Sequence, residues 1–177
     1  MNKFEFVFLL AAIYSGSSIA ASDPSQEFKT IAERCKAAFN ERPAVEVSMN
    51  QKNQTWVKRL FGPTVVTFDA KRTDSVIAPL SGYIEVSEVA TFKSDPNEDI
   101  ARSAELSISD TSTPALKFLT RINYKFDGTA WSVSDGFKST AFRPVGASSF
   151  EKNSQALPYS AEKLKEIEGP ISSCIKK

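Results

Sequence analysis

The chain has 177 residues, with 22 lysines and arginines against 21 aspartates and glutamates, and a formal net charge of +1. Such a balance supplies no clustered positive field, which argues against nucleic acid and against an anionic membrane surface as partners. The sequence contains no histidine, so the commonest general base and zinc ligand at neutral pH is missing, along with every Ser-His or Cys-His pair.

Residues 1–20 read as a secretory signal peptide: Lys3 near the start, an apolar run from Phe6 to Ile13, and the small residues Ser18 and Ala20 before a cleavage point. The run is shorter than the roughly 20 apolar residues a spanning helix needs, and no cysteine follows Ala20 to carry a lipid. Residues 21–177 are therefore expected to form a single exported domain, periplasmic or secreted, with no membrane anchor after cleavage.

Asp23-Pro24-Ser25-Gln26 has the acceptor, the proline and the glutamine of a helix N-terminus. Phe28, Ile31, Cys35, Ala38 and Phe39 then recur at helical spacing, and Pro43 marks the stop. Beyond it the period changes to two. Val45, Val47 and Met49 alternate with polar residues, as do Val66, Phe68 and Ala70, so each run reads as a half-buried strand. A further strand runs from Ile84 to Phe92, interrupted by Glu88 at an apolar position, which suggests a bulge, an edge or a strand outrunning its core. Ala104, Leu106 and Ile108 suggest another short strand. Leu116 to Phe126 is the longest, turned at Asp127-Gly128 and answered by Trp131 and Val133, with a second turn expected at Asp135-Gly136. The span from Phe142 to Tyr159 reads as loop or edge, and a short helix is expected from Ser160 to about Glu168, stopped by Gly169-Pro170.

The two cysteines, Cys35 and Cys174, stand near opposite ends of the mature chain, and in an oxidising compartment an even count of this kind predicts one disulfide. It would pin the last segment to the first helix. The expected fold is α+β, an N-terminal helix packed on a curved antiparallel sheet of about 5–7 strands, with a short C-terminal helix. A cone of the cystatin or nuclear transport factor 2 type fits this pattern best, with a sandwich or an open barrel crossed by a helix as the rival.

Motifs for chemistry are sparse. The glycines form no phosphate-binding loop. Ser160-Ala161-Glu162-Lys163 matches the S-x-x-K of penicillin-binding enzymes but is explained by Ser160 capping the last helix. Asp95, Asn97, Glu98 and Asp99 cluster oxygen atoms without the spacing of a calcium loop. Asn53-Gln54-Thr55 is a glycosylation sequon that matters only in a eukaryotic cell. No catalytic, cofactor-binding or metal-ligating residue is assigned, and no cofactor is expected. Lys117, Arg121 and Lys125 share one face of the long strand as a basic ladder. They either pair across strands with carboxylates such as Glu85 or Glu105, or grip an acidic partner.

The densest local signature runs from Lys71 to Glu85: a strand end, a polar turn at Thr73-Asp74-Ser75, Pro79, and re-entry into a strand at Gly82. With the strands from Tyr124 to Val133 it resembles exported bacterial domains in which a K-x-T-D-S segment leads through a proline and a glycine into a long strand. The resemblance implies an exported antiparallel domain and carries no catalytic residues across. The function expected from size, export, disulfide and the lack of catalytic motifs is that of a non-enzymatic periplasmic binding protein. It would block or cover a protein partner, as an inhibitor does, or as an immunity protein covers a toxin or effector. Two alternatives remain beside it: a carrier whose sheet and helix enclose an apolar pocket, and an enzyme working with carboxylates alone.

Overall fold

The computed structural model of the chain describes residues 23–151 and 156–175, so the signal peptide expected at 1–20 lies outside the described residues. The described chain opens with α1 (Pro24–Glu41), whose N-terminus is capped by Asp23 accepting from the Ser25 amide at 2.9 Å. Next come β1 (Val45–Asn50), β2 (Thr55–Phe61), β3 (Val65–Arg72), β4 (Leu80–Asp95) and α2 (Glu98–Ser103). They are followed by β5 (Ala115–Phe126), β6 (Trp131–Arg143), β7 (Leu157–Ser160), α3 (Ala161–Lys165) and α4 (Pro170–Ile175).

Among the described residues the seven strands form one open antiparallel sheet in the order β1-β2-β4-β5-β6-β7, with β3 pairing β4 off this path. The long β4 organises it. Its first half, Leu80–Ser87, pairs with β3, and its second, Ala90–Asp95, pairs with β2, so β2 and β3 lie end to end along the same side of one strand. Its other side pairs with β5 from Leu80 to Thr91. The fold is α+β, as expected: α1 lies on one face of this sheet, here called inner, and short helices close the C-terminus.

Of the helix stripe read from sequence, Phe28, Cys35 and Phe39 are buried and Ile31 and Ala38 half-buried, while Ala32, outside that reading, is buried beside them. Phe28, Ala32, Cys35 and Phe39 pack with Ile84, Val86, Ile122, Tyr124, Phe126, Trp131 and Leu164. Phe28 is set down on Gly82, where even a Cβ would come within 2.7 Å of its ring, so a glycine in mid-strand makes room for the helix. Its ring also meets Trp131 at 4.5 Å and Tyr124 at 5.3 Å between centroids. Cys35 and Cys174 are joined across a sequence separation of 139, and Arg34 Nε donates to the Ser173 carbonyl at 2.9 Å beside them. The Tyr124 hydroxyl donates to the Cys174 carbonyl at 2.5 Å, and burial pushes its pKa up, so it stays a donor. α4 is thus tied to α1 and to the sheet at once.

Several expectations need correction. Ala104, Leu106 and Ile108 form no strand. The segment leaves α2 as irregular chain whose carbonyls are taken by side chains: Lys58 Nζ donates to Arg102 and Ala104 at 2.7 Å, and Arg143 to Ile108 and Asp110 at 3.2 and 2.8 Å. With those acceptors used, apolar alternation is not enough to make a ladder. Asp135-Gly136 is not a turn either, because β6 runs straight through it. Gly136 is there because the Arg121 carbonyl would lie 2.3 Å from a Cβ and Leu164 of α3 only 3.2 Å from it. The local irregularity is a bulge, with Asn123 facing Asp135 but Tyr124 facing Val133. The C-terminal helix is two: α3 ends at Lys165, and Gly169, at φ +77°, precedes α4.

β2 is absent from the sequence pattern because neither of its faces is simply wet. Val57, Arg59 and Phe61 sit on the inner face, whereas Lys58 on the outer face is covered by α2 and the chain after it. The span from Phe142 to Tyr159 completes β6 and, at Leu157–Ser160, contributes the four-residue edge strand β7.

Candidate functional site

Three surfaces stand out on this frame. The first is the basic ladder, on the outer face of β5. Arg121 is its middle rung: one guanidinium nitrogen is 3.9 Å from Glu85 on β4, the guanidinium carbon lies 3.9 Å above the Tyr83 ring centroid, and Nε donates to Asn123 at 3.3 Å. Asn123 in turn donates to Asp135. An ion pair this open to water contributes about 0–1 kcal/mol. Lys117 faces Val89 and Ala141, and Lys125 faces Ser81 and Ser132, so neither has a carboxylate directly across from it. The three residues are therefore on one face, as the alternation required, but the central charge is already matched by its own sheet. Glu105, the other partner considered, lies exposed in the irregular segment after α2.

The second surface is the loop between β3 and β4, inside the Lys71–Glu85 signature. Its neck is closed by the Thr73 amide, which donates to the Pro79 carbonyl at 2.9 Å, and by the Thr73 hydroxyl, which donates to the Ala78 carbonyl. The Ser75 amide donates back to Thr73 Oγ1, and the Ala78 amide to Ser75 Oγ, each at 3.2 Å. Between these bonds stand Val76, 95% exposed, and Ile77, 84% exposed. Polar side chains that in a free chain would bond to water here hold two apolar ones out into it.

The third is a cleft of about 460 Å³ on the inner face, beyond the end of α1. Its half-buried floor is Phe61 of β2, Phe92 of β4, and Leu116 and Phe118 of β5. Charged side chains stand on its walls: Glu46 on β1, Arg59 on β2, Glu88 on β4 and Lys138 on β6. Glu88 is neutralised by Arg42, just past α1, at 2.8 Å in a mostly buried pair. The Arg42 guanidinium lies 3.7 Å over the Phe61 ring. That pair is the border between the half of the inner face that α1 fills and the half it leaves open. The interruption at Glu88 thus marks the strand outrunning its helix-covered core, with no bulge between β4 and β5 at this point. Arg59 donates to Ser48 Oγ at 2.7 Å, and the Lys138 ammonium is 5.0 Å over the Phe118 ring; neither makes an ion pair among the described residues.

The remaining sequence motifs take local structural roles. Ser160 Oγ accepts from the Lys163 amide at 3.4 Å as the cap of α3. Asn97 Oδ1 accepts from the Asp99 and Ile100 amides at the start of α2, Asp95 accepts from the Asn97 amide, and Glu98 pairs with Arg102. No helix among the described residues is long and apolar enough to cross a membrane, and none of their acidic and cysteine side chains cluster in a group able to hold a metal ion.

No protein-family model, no curated protein and no solved structure matches this chain. The cleft was not singled out as a site in the sequence, and the turn from Thr73 to Ser81 only as a fallback binding surface, without its apolar tip. The cleft takes alternate residues from five strands, and the only local trace of it is the acid at position 88 among inward-facing apolar residues. The loop tip is two apolar residues between a polar turn and a proline, a pattern equally suited to a buried crossover.

Proposed function

We propose that the protein is an exported, non-enzymatic binding protein that blocks or covers a protein partner. The observation that carries this reading is the loop from Thr73 to Pro79, which holds Val76 and Ile77 in solvent by four internal hydrogen bonds, two of them closing its neck. Exposed apolar side chains gain most when a partner removes them from water, and a loop already fixed loses little entropy on docking. Both residues are β-branched and stiff at χ1, which lowers that cost further. Lys71 and Arg72, at the exposed end of β3 beside the loop, suit a partner whose receiving pocket has an acidic rim. The Cys35–Cys174 disulfide suits an oxidising compartment, so the partner is sought in the periplasm or outside the cell. A toxin or effector held inactive by such an insertion is the partner class of this reading.

The test compares the wild-type protein with a Val76→Ser, Ile77→Ser double variant as bait in pull-downs from the native compartment. Both positions are exposed, so the variant should melt within about 0.5 kcal/mol of wild type. The expected result is one protein captured by wild type and lost by the variant. Equal capture by both, with loss on Arg121→Glu and Lys125→Glu instead, would move the interface to the ladder.

A further inference from the structure

The geometry points to a second binding site, independent of the loop: the inner-face cleft takes a small amphipathic carboxylate, its apolar body on the phenylalanine floor and its anionic head at Arg59. The volume, about 460 Å³, falls within the range of small-ligand sites. The charge count sets the sign of the ligand. Arg42 cancels Glu88, which leaves Arg59 and Lys138 against Glu46, a net of one positive charge around the apolar floor; Glu46 faces Arg59 across β1 and β2 but makes no ion pair with it among the described residues.

The positions of the two cations decide which of them meets the head. Arg59 is on β2 facing Phe92 of β4, whereas Lys138 is on β6 facing Thr120, which faces Val86 of β4, so their backbones are three strand spacings apart across the sheet, roughly 14 Å, and offset by roughly 20 Å along it. One carboxylate reaches only one of them. Lys138 already lies over the Phe118 ring, where its charge is partly satisfied and its stem closes the far wall. Arg59 has one bond to a neutral hydroxyl, and its planar guanidinium retains donors for the paired contact a carboxylate accepts. Between them Phe92 and Phe118 provide an apolar track for an alkyl or aryl chain. The pocket differs from the enclosed one expected of a carrier, because α1 and the core fill the helix-covered half of the sheet and the cleft opens beside it.

Decanoate and decanol are the probes, titrated calorimetrically into delipidated full mature protein, with amide chemical shifts recorded in parallel. Decanoate is expected to bind with shifts at β2, β4 and β5 around the cleft, and decanol at least roughly tenfold more weakly, the ratio a charge-assisted hydrogen bond supplies. Arg59→Gln should remove that preference by weakening decanoate alone, whereas the Val76→Ser, Ile77→Ser variant should bind decanoate as wild type does. The inference is overturned if wild type shows no decanoate binding, if decanol binds equally well, if Arg59→Gln leaves decanoate affinity unchanged, or if the shifts map to the outer face. A result against the loop in pull-downs leaves these measurements untouched, so the two proposals fail separately.

Discussion

At the scale of single residues, the core is arranged around Trp131, which is 2% exposed, stacks near Phe28 and Phe126, and donates its indole N–H to the Pro24 carbonyl at 2.8 Å. That bond joins the first residue of α1 to the first of β6, so the side chain combines a large buried area with a fixed contact between elements. Trp131→Ala should cost roughly 3–5 kcal/mol, read as a shift of the denaturant midpoint at unchanged slope. This placement was legible beforehand, since alternation puts Ile122, Tyr124, Phe126 and Trp131 on one side of the hairpin, and all four are buried. The same alternation places Phe118 with them but says nothing of where the covering helix stops. Phe118 accordingly faces the cleft and is only half-buried. Gly136 was misread for a related reason: a glycine after an aspartate in sequence suggests a turn, and only the approach of the Arg121 carbonyl and Leu164 shows that it serves to leave space.

At the scale of elements, the β5–β6 hairpin depends on its turn. Asp127 accepts from the Thr129 hydroxyl at 2.7 Å and from the Thr129 and Ala130 amides at 2.8 and 2.9 Å, with Gly128 at φ +99° between. These bonds, the Thr129 hydroxyl foremost, lower the Asp127 pKa from 3.8 to about 2. A carboxylate held low in the folded state stabilises it in full above its unfolded pKa, and that contribution is lost as pH falls through the folded value. The turn should therefore loosen between about pH 4 and about pH 2, seen as a lower amide protection factor at Thr129 and Ala130 after correction for the intrinsic exchange rate, and Asp127→Asn should largely abolish this pH dependence. The elements that were readable in advance, α1 and this hairpin, each bury one face and show one clean period. β2 hides its period because α2 covers its outer face while its inner face lines the cleft, half-buried, and the chain around Ala104 imitates a strand because its acceptors are satisfied by Lys58 and Arg143, residues far away in sequence.

At the scale of the whole molecule, the α1–α4 disulfide is the one covalent bond between elements that the sheet does not join directly. Reduction should lower stability by about 2–5 kcal/mol, an effect measured by parallel melts with and without reductant, and intact mass should rise by two hydrogens. Two free thiols in unreduced protein, or identical melts, would separate the last helix from the stability of the rest. The bond also bears on the fate of the exposed loop. Both sides of the Thr73–Pro79 segment lie within the stretch closed by Cys35 and Cys174. A protease drawn to Val76 and Ile77 and cutting there would therefore not divide the molecule. The clipped protein would keep its new ends side by side at the neck and run as one species until reduced. If the loop docks a partner as proposed, such a nick would leave the two halves of the protein linked through the disulfide instead of releasing either of them.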